Sequence, residues 1–364
     1  MPKIKNIEVQ KVDLKLTRPY TIAFKTVDHV ENAIVTMELD NGLVGRGAGN
    51  PSEQVVGETL DNALDALDQA IGGKSVDRGW QGLIGREIED INVLCEEIQN
   101  YLKHSPAART ALEGALYDAF SQWKEVPLVS LLGQKIEYLP TSITIGIKDV
   151  LSTLDEASEY FGRGFRYIKV KLGNYLEEDI ERIVKLREKF GDRIKIRIDA
   201  NQGYNVQEVK QFYDQTVGCN LELIEQPLPA EQIEEMRSLP AEIRQVLAAD
   251  ESLIGPEDAA NIIGKTNACG IFNIKLMKCG GITQALEISR LAESAGIDLM
   301  WGCNDESIIS ISAALHTALS CKQTRYLDLD GSLDLAKDVV AGGFILENGE
   351  MRVNGLPGLG LINL

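Results

Sequence analysis

The chain has 364 residues, enough for a barrel-sized domain with a smaller one beside it, and its 37 basic and 55 acidic side chains give a net charge of -18. That acidity argues against nucleic acid or an anionic membrane as the main partner. No apolar run approaches the roughly 20 residues of a membrane span, and the opening MPKIKNIEVQ lacks the apolar core of a signal peptide, so the sequence reads as a soluble, cytoplasmic protein.

In chain order, IKNIEVQKVDLKL and ENAIVTMELDNGLVGRG read as a β-meander, with Asn41-Gly42 as a type I′ hairpin signal. Helical periodicity follows in SEQVVGETLDNALDALDQAI, GREIEDINVLCEEIQNYLK and SPAARTALEGALYDAFSQWK, the last led by Ser105 as N-cap and Pro106 as first helical residue. Strands followed by helices predict an α+β capping domain over residues 1–125. From about residue 140 the texture changes to short β-rich runs alternating with amphipathic helices: TSITIGI, YIKVKLG, RIKIRIDANQG, LELIEQPL, QVLAADESL, IFNIKLM, DLMWGCN and RYLDLDG. Eight such units, repeating every 25 to 30 residues or so, predict a (β/α)8-type barrel over residues 126–339 whose active site lies at the C-terminal strand ends. The last barrel helix reads as short or irregular, and residues 340–364 read as hairpin and loop material packing back on the capping domain.

The six cysteines form no CxxC pair, as expected of reduced thiols, and with only His29, His104 and His316 a histidine-built zinc site is not expected. Any metal should be hard and oxygen-bound. The barrel strand ends supply the donors: Lys169 and Lys171, then Asp199 and Asn201, Glu225, Asp250 with Glu251, Lys275, Asp305 with Glu306, and Asp328 with Asp330. Barrel closure brings these groups to one mouth. Asp199, Glu225 and Asp250 fall on consecutive strands, where uncompensated carboxylates would raise one another's pKa values, and a Mg2+ ion resolves that conflict.

Lys171 and Lys275 flank the trio in strand order, an arrangement for removing a proton from one face of a carbon and returning one to the other. A lysine base must fall from about 10.4 to roughly 7 or 8, about 4 kcal/mol, and Lys169 together with the metal is the expected source of that shift for Lys171. Lys169 is also placed to hold a substrate carboxylate oxygen as charge develops there.

The motifs KVK, IDANQGY, IEQPL, AADES and NIKLMKCGGIT together resemble the enolase superfamily, specifically its muconate-lactonising subgroup, over nearly the whole chain. The resemblance implies that Lys171 and Lys275 are the acid/base pair and that Asp199, Glu225 and Asp250 hold magnesium; Lys278 does not match the family position. YLDLDG resembles the dipeptide epimerase signature, in which Asp328 and Asp330 would bind a substrate α-ammonium.

The implied reaction is magnesium-assisted 1,1-proton transfer, inverting the α-carbon of the C-terminal residue of an L,L-dipeptide through an enolate. Lys25, in RPYTIAFKTVDHV, matches the arginine with which alanyl-glutamate epimerases of the family hold an acidic side chain, but lacks its bidentate fork. Asp305 is placed to attract a cationic N-terminal side chain. A neutral or cationic first residue with an apolar or aromatic second is therefore expected. Rival readings are L-Ala-D/L-Glu epimerisation, o-succinylbenzoate synthesis, N-succinylamino acid racemisation or cycloisomerisation on the same scaffold, a Schiff-base aldolase, and a non-catalytic binding protein that kept the barrel. The expected partner is the small-molecule dipeptide, and homo-oligomerisation is open.

Overall fold

Alternating apolar and polar residues from Ile4 onward commit the N-terminal segment to strands. In the computed structural model, which describes residues 1–22, 25–72 and 82–364 with the side chains of 19–22, 25 and 26 left aside, these are β1 (Ile4–Ile22), β2 (Lys25–Leu39) and β3 (Val44–Gly49), antiparallel in that order. The β2–β3 connection is not a type I′ turn. Gly42 has φ +87° whereas Asn41 does not have positive φ, Gly42 N–H donates to Leu39 O at 3.0 Å, and Leu39 N–H donates to Leu43 O at 2.9 Å. This is a type I turn with a glycine bulge, so only the glycine takes the left-handed conformation.

One face of the meander, including Ile7, Val35 and Met37, packs against helices Leu60–Gly72, Ile91–Tyr101 and Pro106–Trp123 in a separate apolar cluster. The helix Pro106–Trp123 lies directly on the β3 backbone, where a Cβ on Gly47 would collide with the Ala111 carbonyl. Ser105 stands at its N-cap without a side-chain cap bond; the buried Glu58 carboxylate instead accepts from Ala107 N–H at 2.7 Å. The expected single helix after Ser52 is broken at Gly57, which has φ +70°, into Glu53–Val56 and Leu60–Gly72.

β4 (Leu139–Pro140) precedes the eight barrel strands. They are β5 (Ile143–Ile145), β6 (Tyr167–Lys171), β7 (Lys195–Asp199), β8 (Leu221–Glu225), β9 (Leu247–Ala249), β10 (Ile271–Ile274), β11 (Asp298–Gly302) and β12 (Thr324–Asp328). They form one parallel sheet in sequence order, and Ser142 N–H to Leu327 O at 2.9 Å joins its two edges. Helices connect successive strands. In Val206–Thr216, Asn205 and Glu208 form a reciprocal capping box that fixes its start. Ile168, Val170, Ile196, Ile198 and Ile224 face the helices, while Leu223, Ala248, Ile271 and Met300 fill a layer inside the barrel. Period-two alternation thus turns the polar residues of the same strands inward.

β12 is followed by turns rather than a helix. The tail forms β13 (Val340–Gly342), β14 (Phe344–Glu347), β15 (Glu350–Val353) and β16 (Leu361–Asn363). β14 and β15 join β4 in a small sheet, and Leu359 N–H donates to Asp118 on the helix Pro106–Trp123 at 2.7 Å. No helix among the described residues is long and apolar enough to cross a membrane.

Candidate active site

Parallel register sets the first tier of the site. Lys171 on β6 pairs with Asp199 on β7, which pairs with Glu225 on β8, so three inward side chains end at one height. Asp250 follows β9 and Lys275 follows β10.

The geometry is a chain of alternating charges. Lys169, only 3% exposed, places Nζ 2.7 Å from Asp328 Oδ2, 2.8 Å from Glu225 Oε2 and 3.3 Å from Asp199 Oδ2. Lys171, far more open, lies 3.4 Å from Asp199 Oδ2 and donates to Asn201 Oδ1 at 3.2 Å. Across the trio, Lys275 Nζ lies 2.7 Å from Asp250 Oδ2.

Burial and neighbouring charge divide the carboxylates. Glu225 is pushed up to about 8 by burial and by Asp199, more than Lys169 offsets. Burial also works to raise Asp250, but Lys275 and Lys278 outweigh it and hold the carboxyl well below its ordinary range. Burial works to lower Lys275, but Asp250 and Glu225 raise it overall. Lys169 is surrounded by three carboxylates, so its charge is compensated within the site, and Lys275 is raised by Asp250 and Glu225.

Oxygen donors suited to a hard cation are present. Glu225 Oε2 is buried without a hydrogen bond, its 2.8 Å approach to Lys169 notwithstanding, and it sits between the carboxylates of the adjacent strands. Among the described residues no three such side chains already close around one point, since lysines hold the outer oxygens. The donor set nevertheless fits magnesium, which binds through few carboxylates and keeps several waters.

Asp328 and Asp330 both reach the end of β12 but engage different partners. Asp328 is held by Lys169 and by Ser142 Oγ, which donates to Oδ1 at 2.5 Å, whereas Asp330 Oδ2 accepts from Thr144 N–H at 2.7 Å. Burial and the Asp328 charge push Asp330 up to about 7. Asp305 stands at the same end, in the loop before helix Ile308–Ser320, and is partly exposed. The Lys25 side chain lies outside the described residues.

The sequence reading gives no role to three residues of the site, of which it named Lys278 only to set it aside. Asn273 donates to Glu225 Oε1 at 2.7 Å. Gln226, at φ +32°, accepts through Oε1 from Asp250 N–H at 2.8 Å and from Ser252 Oγ at 2.7 Å, which fixes the Asp250 loop. Lys278 is buried and donates to the Asp250 carbonyl at 2.6 Å and to Asp250 Oδ1. Asn273 had a signal, since it shares the inward parity of Lys275; Lys278 lies beyond the strand, where parity no longer applies.

The described architecture has counterparts. Residues 5–133 match the mandelate racemase/muconate lactonizing enzyme N-terminal domain, and residues 152–362 match the enolase C-terminal domain-like family. The chain belongs to the enolase superfamily. Within this superfamily it is similar to the L-Lys-D/L-Arg epimerase of Desulforapulum autotrophicum, with 54% identity over 99% of both chains. The hydrophobic dipeptide epimerase of Enterococcus faecalis is 35% identical over 95% of both. A crystal structure of the dipeptide epimerase from Methylococcus capsulatus, complexed with Mg and the dipeptide L-Arg-D-Lys, superposes with a TM-score of 0.93 at 50% identity over 99% of both chains.

Proposed function

We propose that this protein is a dipeptide epimerase that inverts the α-carbon of the C-terminal residue of an L,L-dipeptide. The observation that carries the reading is the placement of two ammonium groups, Lys171 beside Asp199 and Lys275 beside Asp250, on opposite sides of the carboxylate trio. One lysine takes the α-proton from one face and the other delivers a proton to the opposite face. Asp199, Glu225 and Asp250 would hold magnesium, which when bound supplies electrostatic stabilisation to the substrate carboxylate as it gains enolate character.

Lys169 lies deep between Glu225 and Asp328 and adds fixed positive charge to the same region. Asp330, with Asp328 behind it, receives the substrate α-ammonium, a role that free succinylated acids or cyclohexadiene carboxylates would leave idle. Asp305 favours a cationic first residue. The names of the relatives at 54% and 50% identity favour a basic second residue over the apolar or aromatic one that the sequence reading expects.

Incubation with pooled L,L-dipeptides and Mg2+ in D2O tests the reading. One deuterium with inversion at the C-terminal residue is expected, strongest for Lys- and Arg-containing dipeptides. Asp305→Asn should lower kcat/KM about five-fold for a cationic first residue and leave alanyl dipeptides unchanged, as for a rim charge pair. Absence of deuterium from every dipeptide pool in the metal-loaded protein would refute it.

A further inference from the structure

The turn that carries Lys275 and Lys278 is anchored from outside the barrel. Lys275 is the N-cap of the single-turn helix Leu276–Cys279, and Gly280 and Gly281 lead from it into helix Ile282–Ala295. One face of the capping-region helix Pro106–Trp123 meets this segment with three side chains. Thr110 Oγ1 lies 2.8 Å from Leu276 O and shares its single proton between that carbonyl and Pro106 O of its own helix, also at 2.8 Å, and Arg109 Nη2 donates to Cys279 O at 2.8 Å. Glu113 Oε1 accepts from Thr283 N–H at 2.8 Å and from the Thr283 hydroxyl.

The fit leaves little room. A Cβ on Gly280 would collide with the Arg109 guanidinium and one on Gly281 with the Glu113 carboxylate. Gln99 completes the contact, donating to Glu113 Oε2 at 3.0 Å. Thr110 and Glu113 are buried, and burying polar side chains is costly unless each is matched by a partner. Here the partners are the backbone groups on either side of the lysine-bearing turn. Among the described residues no equivalent contact from the capping region is seen at Lys171, which stands on β6 in continuous register with β7.

Resting on the epimerase reading, we propose that Arg109, Thr110 and Glu113 are positioning residues for one face of the reaction: they set the Leu276–Thr283 segment and through it the aim of Lys275, while Lys171 is set by the barrel alone. The two acid/base groups then depend on different parts of the chain. Loosening the helix contact should impair proton transfer on the Lys275 face and spare the Lys171 face.

The experiment measures α-proton exchange into D2O separately from the L,L- and L,D-forms of one dipeptide, with Lys275→Ala and Lys171→Ala identifying which form each lysine serves. Thr110→Val removes the hydroxyl at nearly constant volume and should slow exchange from the Lys275-served form about ten-fold, with the other form within about two-fold. Thr110→Ser, which keeps the hydroxyl, should restore it. Equal loss from both forms, or no loss from either, would overturn the proposal. If the wild-type protein exchanges no α-proton from any dipeptide, the epimerase reading fails instead. Backbone amide exchange then decides the placement: acceleration confined to residues 276–283 in Thr110→Val upholds it, and an unchanged pattern overturns it.

Discussion

Lys275 and Lys278 hold opposite oxygens of one carboxylate: Lys275 Nζ lies 2.7 Å from Asp250 Oδ2, and Lys278 binds Oδ1 and the Asp250 carbonyl. Asp250 is thereby fixed by two cations of unequal exposure, since Lys278 is fully enclosed while Lys275 opens toward the mouth. Lys275 is the more exposed of the two, which suits the acid/base role proposed for it.

Removing Lys278 should therefore act on stability first. Lys278→Ala leaves the buried Asp250 Oδ1 without its donor, while the Asp250 carbonyl keeps Leu253 N–H at 2.9 Å, and a loss of about 3 kcal/mol is expected from urea denaturation at neutral pH. An unchanged midpoint would show that Asp250 needs no second cation.

Magnesium should stabilise the protein by competing for the carboxylates that lysines now hold. At about 100 times its dissociation constant the gain is about 2.7 kcal/mol, read as a rise of several degrees in the thermal midpoint. Glu225→Gln, which removes the charge of the one trio member with an unbonded buried oxygen, should abolish most of that rise. A full rise in the variant would remove Glu225 from the ligand set.

If Asp330 receives the substrate ammonium as proposed, substrate binding should depend on pH. Its carboxyl is raised to about 7, so it is protonated below that pH and charged above it, and an ammonium is bound only by the charged form. KM for a dipeptide should fall as pH rises from 6 to 8, and Asp330→Asn should remove the inflection and raise KM about ten-fold. The same inflection persisting in the variant would assign it elsewhere.

His316 contributes to the acid sensitivity of stability. It is a buried residue of helix Ile308–Ser320, its Nδ1 accepts from Val129 N–H at 3.0 Å, and burial lowers it to about 4. The unfolded chain takes up this proton near pH 6.5 and the folded one only near 4. The stabilisation is therefore complete above about 6.5 and is lost as pH falls toward 4, a change of about 3 kcal/mol. Denaturation midpoints across that window should show the slope, and His316→Gln should flatten it.

The barrel was legible because its signal is local and repeated. Each strand from Tyr167–Lys171 to Thr324–Asp328 is a short β-rich run that ends in, or is followed within a few residues by, a charged one, and strand parity already separates Ile168 and Val170 from Lys169 and Lys171. The Asn41-Gly42 turn was misjudged because the dipeptide permits several loop lengths, and the bulge was settled by the pairing of Glu38 with Val44.

By itself the sequence determined the α/β alternation, the inward parity of Lys169, Lys171, Asp199 and Glu225, and the order in which lysines and carboxylates meet around the mouth, because these follow from periods of two and 3.6 residues. Only the tertiary structure decided which charges compensate which. Lys169 is shared among three strands, Lys278 enters from beyond its strand to hold Asp250, and helix Pro106–Trp123 takes hold of the turn bearing Lys275 from some 166 residues away in the chain. The physical reason is that Coulomb and hydrogen-bond energies depend on separation in space and on burial, and both are properties of the closed barrel rather than of any segment of its chain.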